Sequence, residues 1–121
     1  MHERILVVED QEDNRQTVRD LLTVNDYEII EAENGEEALA AVVKSRPDLI
    51  LMDIQLPVMD GYEATRRIKA DPSLSSIPII AVTSYALNGD EEKARAAGCN
   101  DFVPKPYSPR QLLAKIREFL R

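Results

Sequence analysis

The segment DLILMDIQLPVMDG, residues 48–61, decides the fold of this chain. Its apolar run LILM has the length of a buried strand and ends at an acid, Asp53. A proline and the Asp60-Gly61 pair follow as turn signals, ahead of the next helical pattern. Continuously apolar strands are typical of parallel sheets that are covered by helices on both faces. The segment therefore predicts a central strand at 49–52 whose end carries a carboxylate.

The rest of the chain repeats this pairing of a short apolar run with an amphipathic stretch. The spacing predicts strands at 5–8, 27–32, 49–52, 79–82 and 101–104, and helices at 13–24, 36–44, 62–70, 88–97 and from Ser108 onward. Strict alternation predicts an α/β fold with a doubly wound parallel sheet. The two less apolar strands are expected at the edges, where Pro104 is tolerated because proline cannot donate to a ladder. The strand order is then 2-1-3-4-5, the flavodoxin-like (βα)5 arrangement.

Composition excludes several kinds of function. A chain of 121 residues is the size of one domain, and its net charge of −7 argues against a nucleic-acid surface. The single cysteine, Cys99, and the single histidine, His2, exclude an internal disulfide, a cysteine metal site and a histidine-based triad. No apolar run reaches the roughly 20 residues that span a bilayer. The N-terminus has no signal-peptide layout, so we expect a cytoplasmic protein with no membrane partner.

Polar residues follow four of the five predicted strands. The first strand ends at Glu9 and Asp10, the third at Asp53, the fourth at Thr83 and the fifth at Lys105. In such sheets ligands bind beyond the carboxyl ends of the strands, so these side chains should share one crevice. Three neighbouring carboxylates need a counter-charge, and oxygen ligands suit Mg²⁺. With a lysine and a threonine beside them, they are the groups needed to handle a phosphoryl group.

Four motifs then give the chain a family likeness: VVED at 7–10, LILMDIQLPVMDG at 49–61, IIAVTSYA at 79–86 and VPKP at 103–106. In their order and spacing the chain resembles a CheY-like receiver domain of the two-component response regulators. The likeness extends over essentially all of residues 1–121, which implies a single receiver domain. MDIQLP and NGDEEKARAAG resemble single-domain, DivK-like receivers more than chemotaxis receivers.

The resemblance implies a role for each matching position. It makes Asp53 the phosphoryl acceptor, and Thr83 and Lys105 the groups that bind the phosphoryl oxygens. It further implies Mg²⁺ or Mn²⁺ ligands at Glu9, Asp10, Asp53 and the Gln55 backbone carbonyl, switch positions at Thr83 and Phe102, and a cis Lys105–Pro106 bond. Phe102 has no hydroxyl, so a ring hydrogen bond is unavailable to the switch. Its ring could instead pack on the last helix as an ordinary edge-strand residue.

The resemblance also implies partners. A histidine kinase or histidine phosphotransfer protein would donate the phosphoryl group, docking near the first helix and the strand-end loops. A downstream protein would bind the face formed by the fourth helix, fifth strand and fifth helix, with Tyr85, Phe102 and Tyr107. The chain would be a signalling domain rather than an enzyme, and a monomer or a phosphorylation-dependent homodimer. Ser84, Tyr85 and Gln55 should set the lifetime of the phosphoryl group.

Three other functions stay open on the sequence alone. The chain could be a receiver module from a hybrid histidine kinase or a larger regulator. A Mg²⁺-dependent phosphatase with an aspartyl nucleophile would need a second aspartate where Gln55 stands. A flavodoxin would need a phosphate-binding loop after the first strand, but residues 9–14, EDQEDN, are acidic and would repel the FMN phosphate.

Overall fold

The computed structural model describes residues 3–83 and 89–120 of the chain. Its strands are β1 (Arg4–Val8), β2 (Glu28–Ala32), β3 (Leu49–Asp53), β4 (Ile79–Thr83) and β5 (Asp101–Pro104). Its helices are α1 (Glu12–Val24), α2 (Gly35–Ser45), α3 (Gly61–Ala70), α4 (Asp90–Ala97) and α5 (Pro109–Phe119). The predicted elements are all present, with ends shifted by one or two residues. The start predicted for α4, at 88, lies outside the described residues.

The five strands form one parallel sheet in the order β2-β1-β3-β4-β5, as predicted. All residues of β3 and β4 are buried, which agrees with their apolar sequences and central places. Pro104 is the last residue of edge strand β5, opposite Thr83, so its missing N–H interrupts no inner ladder. The order places the carboxyl ends of β1 and β3 side by side, with β4 next to β3.

The core has two layers because successive residues of a strand face opposite sides of the sheet. One layer joins one face of the sheet to α1 and α5, and it includes Leu22, Val103, Leu112 and Ile116. The other joins the opposite face to α2, α3 and α4, and it includes Phe102 with Ala94 and Cys99. The idea that Phe102 packs on the last helix is therefore wrong. Its neighbour Val103 faces α5 instead.

Two helix starts hold the loops around the carboxyl edge of the sheet. Asp60 caps α3, its side chain accepting a hydrogen bond from the Glu63 N–H at 2.9 Å, as a structural Asp-Gly turn should. Ser108 and Gln111 form a reciprocal capping box at the start of α5, with Pro109 in the first turn. Within the described residues, no helix has the length and apolarity required to cross a membrane.

Candidate functional site

Burial of β3 fixes the position of Asp53 at the carboxyl edge of the sheet. Asp53 is opposite Val82 in β4, and the next residue, Ile54, donates its N–H to the Val82 carbonyl at 3.1 Å. Helix α3 then begins against this backbone, with the Gly61 N–H donating to the Ile54 carbonyl at 2.9 Å. A Cβ at Gly61 would lie 2.3 Å from the Asp53 carbonyl oxygen, so only glycine allows this approach. The Asp53 backbone is thus held from both sides.

Three carboxylates meet beyond the ends of β1 and β3. One oxygen each of Glu9, Asp10 and Asp53 lie within 4.8 Å of one another. Glu9 and Asp53 are buried, whereas Asp10 is exposed and opens the group to solvent. The structure therefore brings together all three acids that the sequence placed at these strand ends.

Lys105 reaches the same point from the end of β5. Its ammonium donates to Glu9 Oε1 at 2.9 Å and to Asp53 Oδ2 at 3.4 Å. Its backbone N–H donates to the Thr83 carbonyl at 2.7 Å, and the Lys105–Pro106 bond is cis. The residue after β5 is therefore tied to the end of β4, with its side chain directed at the acids.

The charges of these groups shift one another's pKa. Burial and the nearby Glu9 carboxylate raise the pKa of Asp53 to about 6, although Lys105 opposes this. Burial also acts to raise the pKa of Glu9, but the Lys105 ammonium and the Gln11 N–H outweigh it and the pKa is lowered. Burial acts to lower the pKa of Lys105, but the two carboxylates outweigh it and the pKa is raised. One ammonium does not fully offset the acids, which leaves room for another cation.

The donor set suits a hard divalent cation. Carboxylate oxygens are ligands that Mg²⁺ prefers, and the exposed Asp10 leaves space for water ligands as well. Gln55 follows at the exposed start of the β3–α3 loop, and its N–H donates to Asp53 Oδ1 at 3.0 Å. This bond fixes one carboxylate oxygen of Asp53. The Gln55 carbonyl as a metal ligand stays a prediction.

The two predicted switch residues lie on β4 and β5. Thr83 is the last residue of β4, is buried, and follows the residue that pairs with Asp53. Phe102 is 8% exposed and faces the layer that contains α4. Ser84 and Tyr85, which were expected to affect the phosphoryl lifetime and the output face, lie outside the described residues.

A cavity of about 620 Å³ opens beside the acids and Lys105. One side is lined by Gln11, the N-cap of α1, and by Asn14 and Thr17 of that helix, and Pro106 and Tyr107 line the other. Tyr107, which the sequence assigned to the output face, thus contributes to the wall of this cavity. Asp53 also lines it, so a group that enters beside α1 can reach the carboxylate.

Sequence reasoning missed Arg15, which lies close to the acids. It is 8% exposed and donates from Nη1 to the Glu9 carbonyl at 2.9 Å. A charged residue in an amphipathic helix is usually interpreted as part of the solvent face. The available signal was its spacing, because Arg15 stands three and seven residues before the buried Val18 and Leu22 and shares their helical face.

Comparison with known proteins agrees with this geometry. The response regulator receiver domain family matches residues 5–117, and the chain belongs to that family. This membership rejects the phosphatase and flavodoxin alternatives. The chain is therefore a signalling domain of the two-component type, built on the CheY-like fold.

Among individual relatives, the chain is similar to the polar-differentiation response regulator DivK of Brucella anthropi. The two are 45% identical over 120 residues, which cover 99% of this chain and 98% of that protein. DivK of Brucella abortus (strain 2308) is 43% identical over the same length. These values agree with the resemblance to DivK-like receivers in the sequence motifs.

Solved structures show the same likeness. The receiver domain of the sensor histidine kinase PA1611 from Pseudomonas aeruginosa has a TM-score of 0.92 and 37% identity, covering 98% of both chains. That structure has a magnesium ion coordinated in its active site cleft. Chemotaxis protein CheY4 of Vibrio cholerae has a TM-score of 0.93 and 30% identity, covering 99% of this chain and 100% of its own.

Proposed function

We propose that this chain accepts a phosphoryl group on Asp53 and thereby changes its affinity for a downstream protein. The observation that carries the proposal is the position of the Asp53 carboxylate. It is buried at the end of β3, 3.4 Å from the Lys105 ammonium, beside two further acids and against an open cavity. Acceptance of a phosphoryl group is the function of the family to which the chain belongs.

Glu9, Asp10 and Asp53, with the Gln55 carbonyl, would hold Mg²⁺ or Mn²⁺. The ion would supply positive charge that offsets the phosphoryl oxygens. The magnesium in the cleft of the PA1611 receiver supports this assignment, as does the close grouping of the three acids here. Lys105 supplies a second positive charge from the β5 side.

The residues of the chain suggest how transfer proceeds. Asp53 is mostly ionised at neutral pH, because its raised pKa of about 6 is still below 7. An Asp53 oxygen forms a bond to phosphorus while the phosphorus–nitrogen bond of a phosphohistidine breaks and its electron pair returns to the imidazole. Oδ1 is held by the Gln55 N–H, which leaves Oδ2, on the Lys105 side, as the nucleophile. Lys105 then pairs with the new phosphoryl oxygens.

The donor would be the phosphohistidine of a histidine kinase or a phosphotransfer protein. The cavity beside α1 supports this choice. Gln11, Asn14 and Thr17 on its wall are exposed, so a partner protein can contact them, and the same cavity is lined by Asp53. The receiver of a sensor kinase, as in PA1611, offers a second setting, in which the chain is part of a larger regulator. Both settings use the same site.

The output would be the face formed by α4, β5 and α5. A phosphoryl group adds up to about two negative charges, which Thr83 and Lys105 would contact. Asp101 of β5 connects the two helices of this face, because its carboxylate lies 3.4 Å from Arg95 of α4 and 3.1 Å from Lys115 of α5. The packing of Phe102 beside α4 would then respond to movement at the end of β4. We propose that the receiver is cytoplasmic and is a monomer or a phosphorylation-dependent homodimer.

The test is incubation with acetyl phosphate and Mg²⁺, followed by intact-mass measurement. The unmodified chain should gain the mass of one phosphoryl group, and Asp53→Asn should gain none. Asp20→Asn, a change at an exposed acid of α1, is the matched control and should behave like the unmodified chain. Phosphorylation of Asp53→Asn would show that the acceptor is another residue.

A further inference from the structure

We infer that Arg15 is a positioning residue, which orients the peptide between Glu9 and Asp10 so that both carboxylates can bind a divalent cation. This inference rests on the proposed function, because it assigns a role at the same site. It concerns a residue of α1 that contacts the acidic group through its backbone rather than through a carboxylate.

The Arg15 guanidinium is fixed by acceptors on different elements. Nε donates to Glu31 Oε1 of β2 at 2.9 Å, and Nη2 donates to the Glu12 carboxylate one turn earlier in α1. Nη1 donates to the Glu9 carbonyl at 2.9 Å, just after β1. With only 9% of its side chain exposed, Arg15 is a rigid link between α1, β2 and the end of β1.

The bond to Glu9 acts on the cation site directly. The Glu9 carbonyl and the Asp10 N–H belong to one rigid peptide plane, and this plane joins two of the three acids in the group. The same turn is held by the Glu9 N–H, which donates to the Ala32 carbonyl at 3.0 Å, and by the Gln11 N–H, which donates to Glu9 Oε2 at 3.1 Å. The carbonyl is held by Arg15, so the plane cannot rotate without breaking that bond.

The contribution of Arg15 is geometric rather than electrostatic. Its positive charge is already offset by Glu12 and Glu31, and the Glu33 carboxylate lies 3.9 Å from Nη1. The acids of the cation site therefore gain little net charge from it. What Arg15 provides is a planar fork whose donors point in fixed directions, which a lysine ammonium cannot reproduce.

Arg19 provides a matched control. It pairs with the same two acids, with Nη1 at 2.8 Å from Glu31 and Nη2 at 3.4 Å from Glu12, but its side chain is 33% exposed. Its bonds to these two carboxylates involve neither Glu9 nor Asp10. Arg15→Lys and Arg19→Lys thus both keep the positive charge and remove the guanidinium fork, and only the first removes the bond to the Glu9 carbonyl.

The experiment is calorimetric titration of the unphosphorylated protein with Mg²⁺, after circular dichroism has shown that each variant is folded. Arg15→Lys should bind Mg²⁺ about 10-fold more weakly, the lower end of the effect of losing a group that orients a metal ligand. Arg19→Lys should bind like the unmodified chain, because the bonds of Arg19 go to Glu31 and Glu12 and not to the turn that carries Glu9 and Asp10. Equal affinity in Arg15→Lys and the unmodified chain would overturn the inference.

A measurement on the unmodified protein covers the case in which Arg15→Lys does not fold. In an ¹⁵N spectrum of arginine side chains, the Arg15 Nε signal should move as Mg²⁺ is added, and the Arg19 signal should move less. An Arg15 signal that stays still at saturating Mg²⁺ would also overturn the inference.

Asp10→Asn tests the cation site separately from the role of Arg15. If this variant binds Mg²⁺ as tightly as the unmodified chain, the cation site itself is rejected.

Discussion

The Lys105 ammonium lies 3.4 Å from Asp53 Oδ2, although 52 residues separate the two in the chain. This contact exists because β5 and β3 lie on either side of β4 in a parallel sheet and end at the same edge. Glu9 joins them from β1, 2.9 Å from the same ammonium. Two buried acids thus share one lysine, and this shortage of positive charge determines how the site should respond to pH, cations and substitution.

The first prediction concerns Asp53 and pH in the metal-free protein. Its pKa is raised from 3.8 to about 6 in the folded state, so ionising it costs folding free energy. When folding raises the pKa of a carboxyl group, the loss of stability begins as the pH rises above the pKa in the unfolded state. It is complete once the pH is above the pKa in the folded state. Asp53→Asn should therefore be more stable than the unmodified chain above about pH 6, by up to about 3 kcal/mol.

Urea unfolding with EDTA, from pH 4 to pH 8, measures this difference. The difference between the two proteins should be small near pH 4, where Asp53 is protonated in the folded state and about half ionised in the unfolded state. Added Mg²⁺ should stabilise the unmodified chain and have less effect on Asp53→Asn, because a ligand that binds the folded state raises stability. A difference that is the same at every pH would mean that the ionisation of Asp53 does not destabilise the fold.

Replacing Lys105 should destabilise the protein, whereas replacing Asp53 should stabilise it. Lys105→Met leaves Glu9 and Asp53 facing each other without their shared ammonium. We expect the free energy of unfolding to fall by about 1–3 kcal/mol at neutral pH. The loss should shrink toward pH 4, where the carboxyls take up protons. Denaturant unfolding at pH 5 and pH 8 tests this, and a larger loss at pH 5 would contradict it. Lys44→Met, a change at an exposed lysine of α2, is the control and should show no such dependence.

The third prediction concerns Gly61, which lies against the backbone of Asp53. In Gly61→Ala the new Cβ would meet the Asp53 carbonyl at 2.3 Å, and backbone cannot move aside cheaply. We expect a loss of about 1–3 kcal/mol, together with slower phosphorylation by acetyl phosphate. Gly89→Asn is the control, because a Cβ there meets nothing within 4 Å and asparagine tolerates its positive φ of 87°. Equal stability of both variants would show that the close approach is unimportant.

The fourth prediction concerns the link between α4 and α5. Asp101→Asn keeps an acceptor for the Phe102 N–H but loses the charge that attracts Arg95 and Lys115. Because both cations are partly exposed, the loss of stability should be about 1 kcal/mol or less. Hydrogen exchange should nevertheless become faster in α4. Glu63→Gln, which removes ion pairs within α3 alone, should leave exchange in α4 unchanged. Faster exchange in both variants would reject the link.

The fold and the acids of the site follow from sequence because their causes are local. Apolar runs in β3 and β4 can only be buried, and a parallel sheet then brings the ends of its strands to one edge. Asp53, Glu9 and Lys105 were therefore predictable as neighbours. Alternation along β5 predicts that Phe102 and Val103 face opposite sides of the sheet. It does not predict which helix covers the side that Phe102 faces.

Arg15 shows where sequence reasoning ends. Its main partners, Glu31 and the Glu9 carbonyl, lie on other elements, and the latter is a backbone atom with no side-chain signal. Whether a helical arginine is buried depends on how α1 packs beside β2, which is a tertiary property. The distances of Lys105 from its two acids also require the folded chain, and so does the burial of Asp53 that raises its pKa.

The central claim is that Asp53 is the residue that receives the phosphoryl group. Borohydride reduces an acyl phosphate to an alcohol, so treatment after acetyl phosphate and Mg²⁺ converts the modified aspartate to homoserine. Peptide mapping by mass spectrometry should then find homoserine at position 53 and aspartate at position 10. Homoserine at position 10, or unchanged aspartate at position 53 in protein that has gained the phosphoryl mass, would contradict the account.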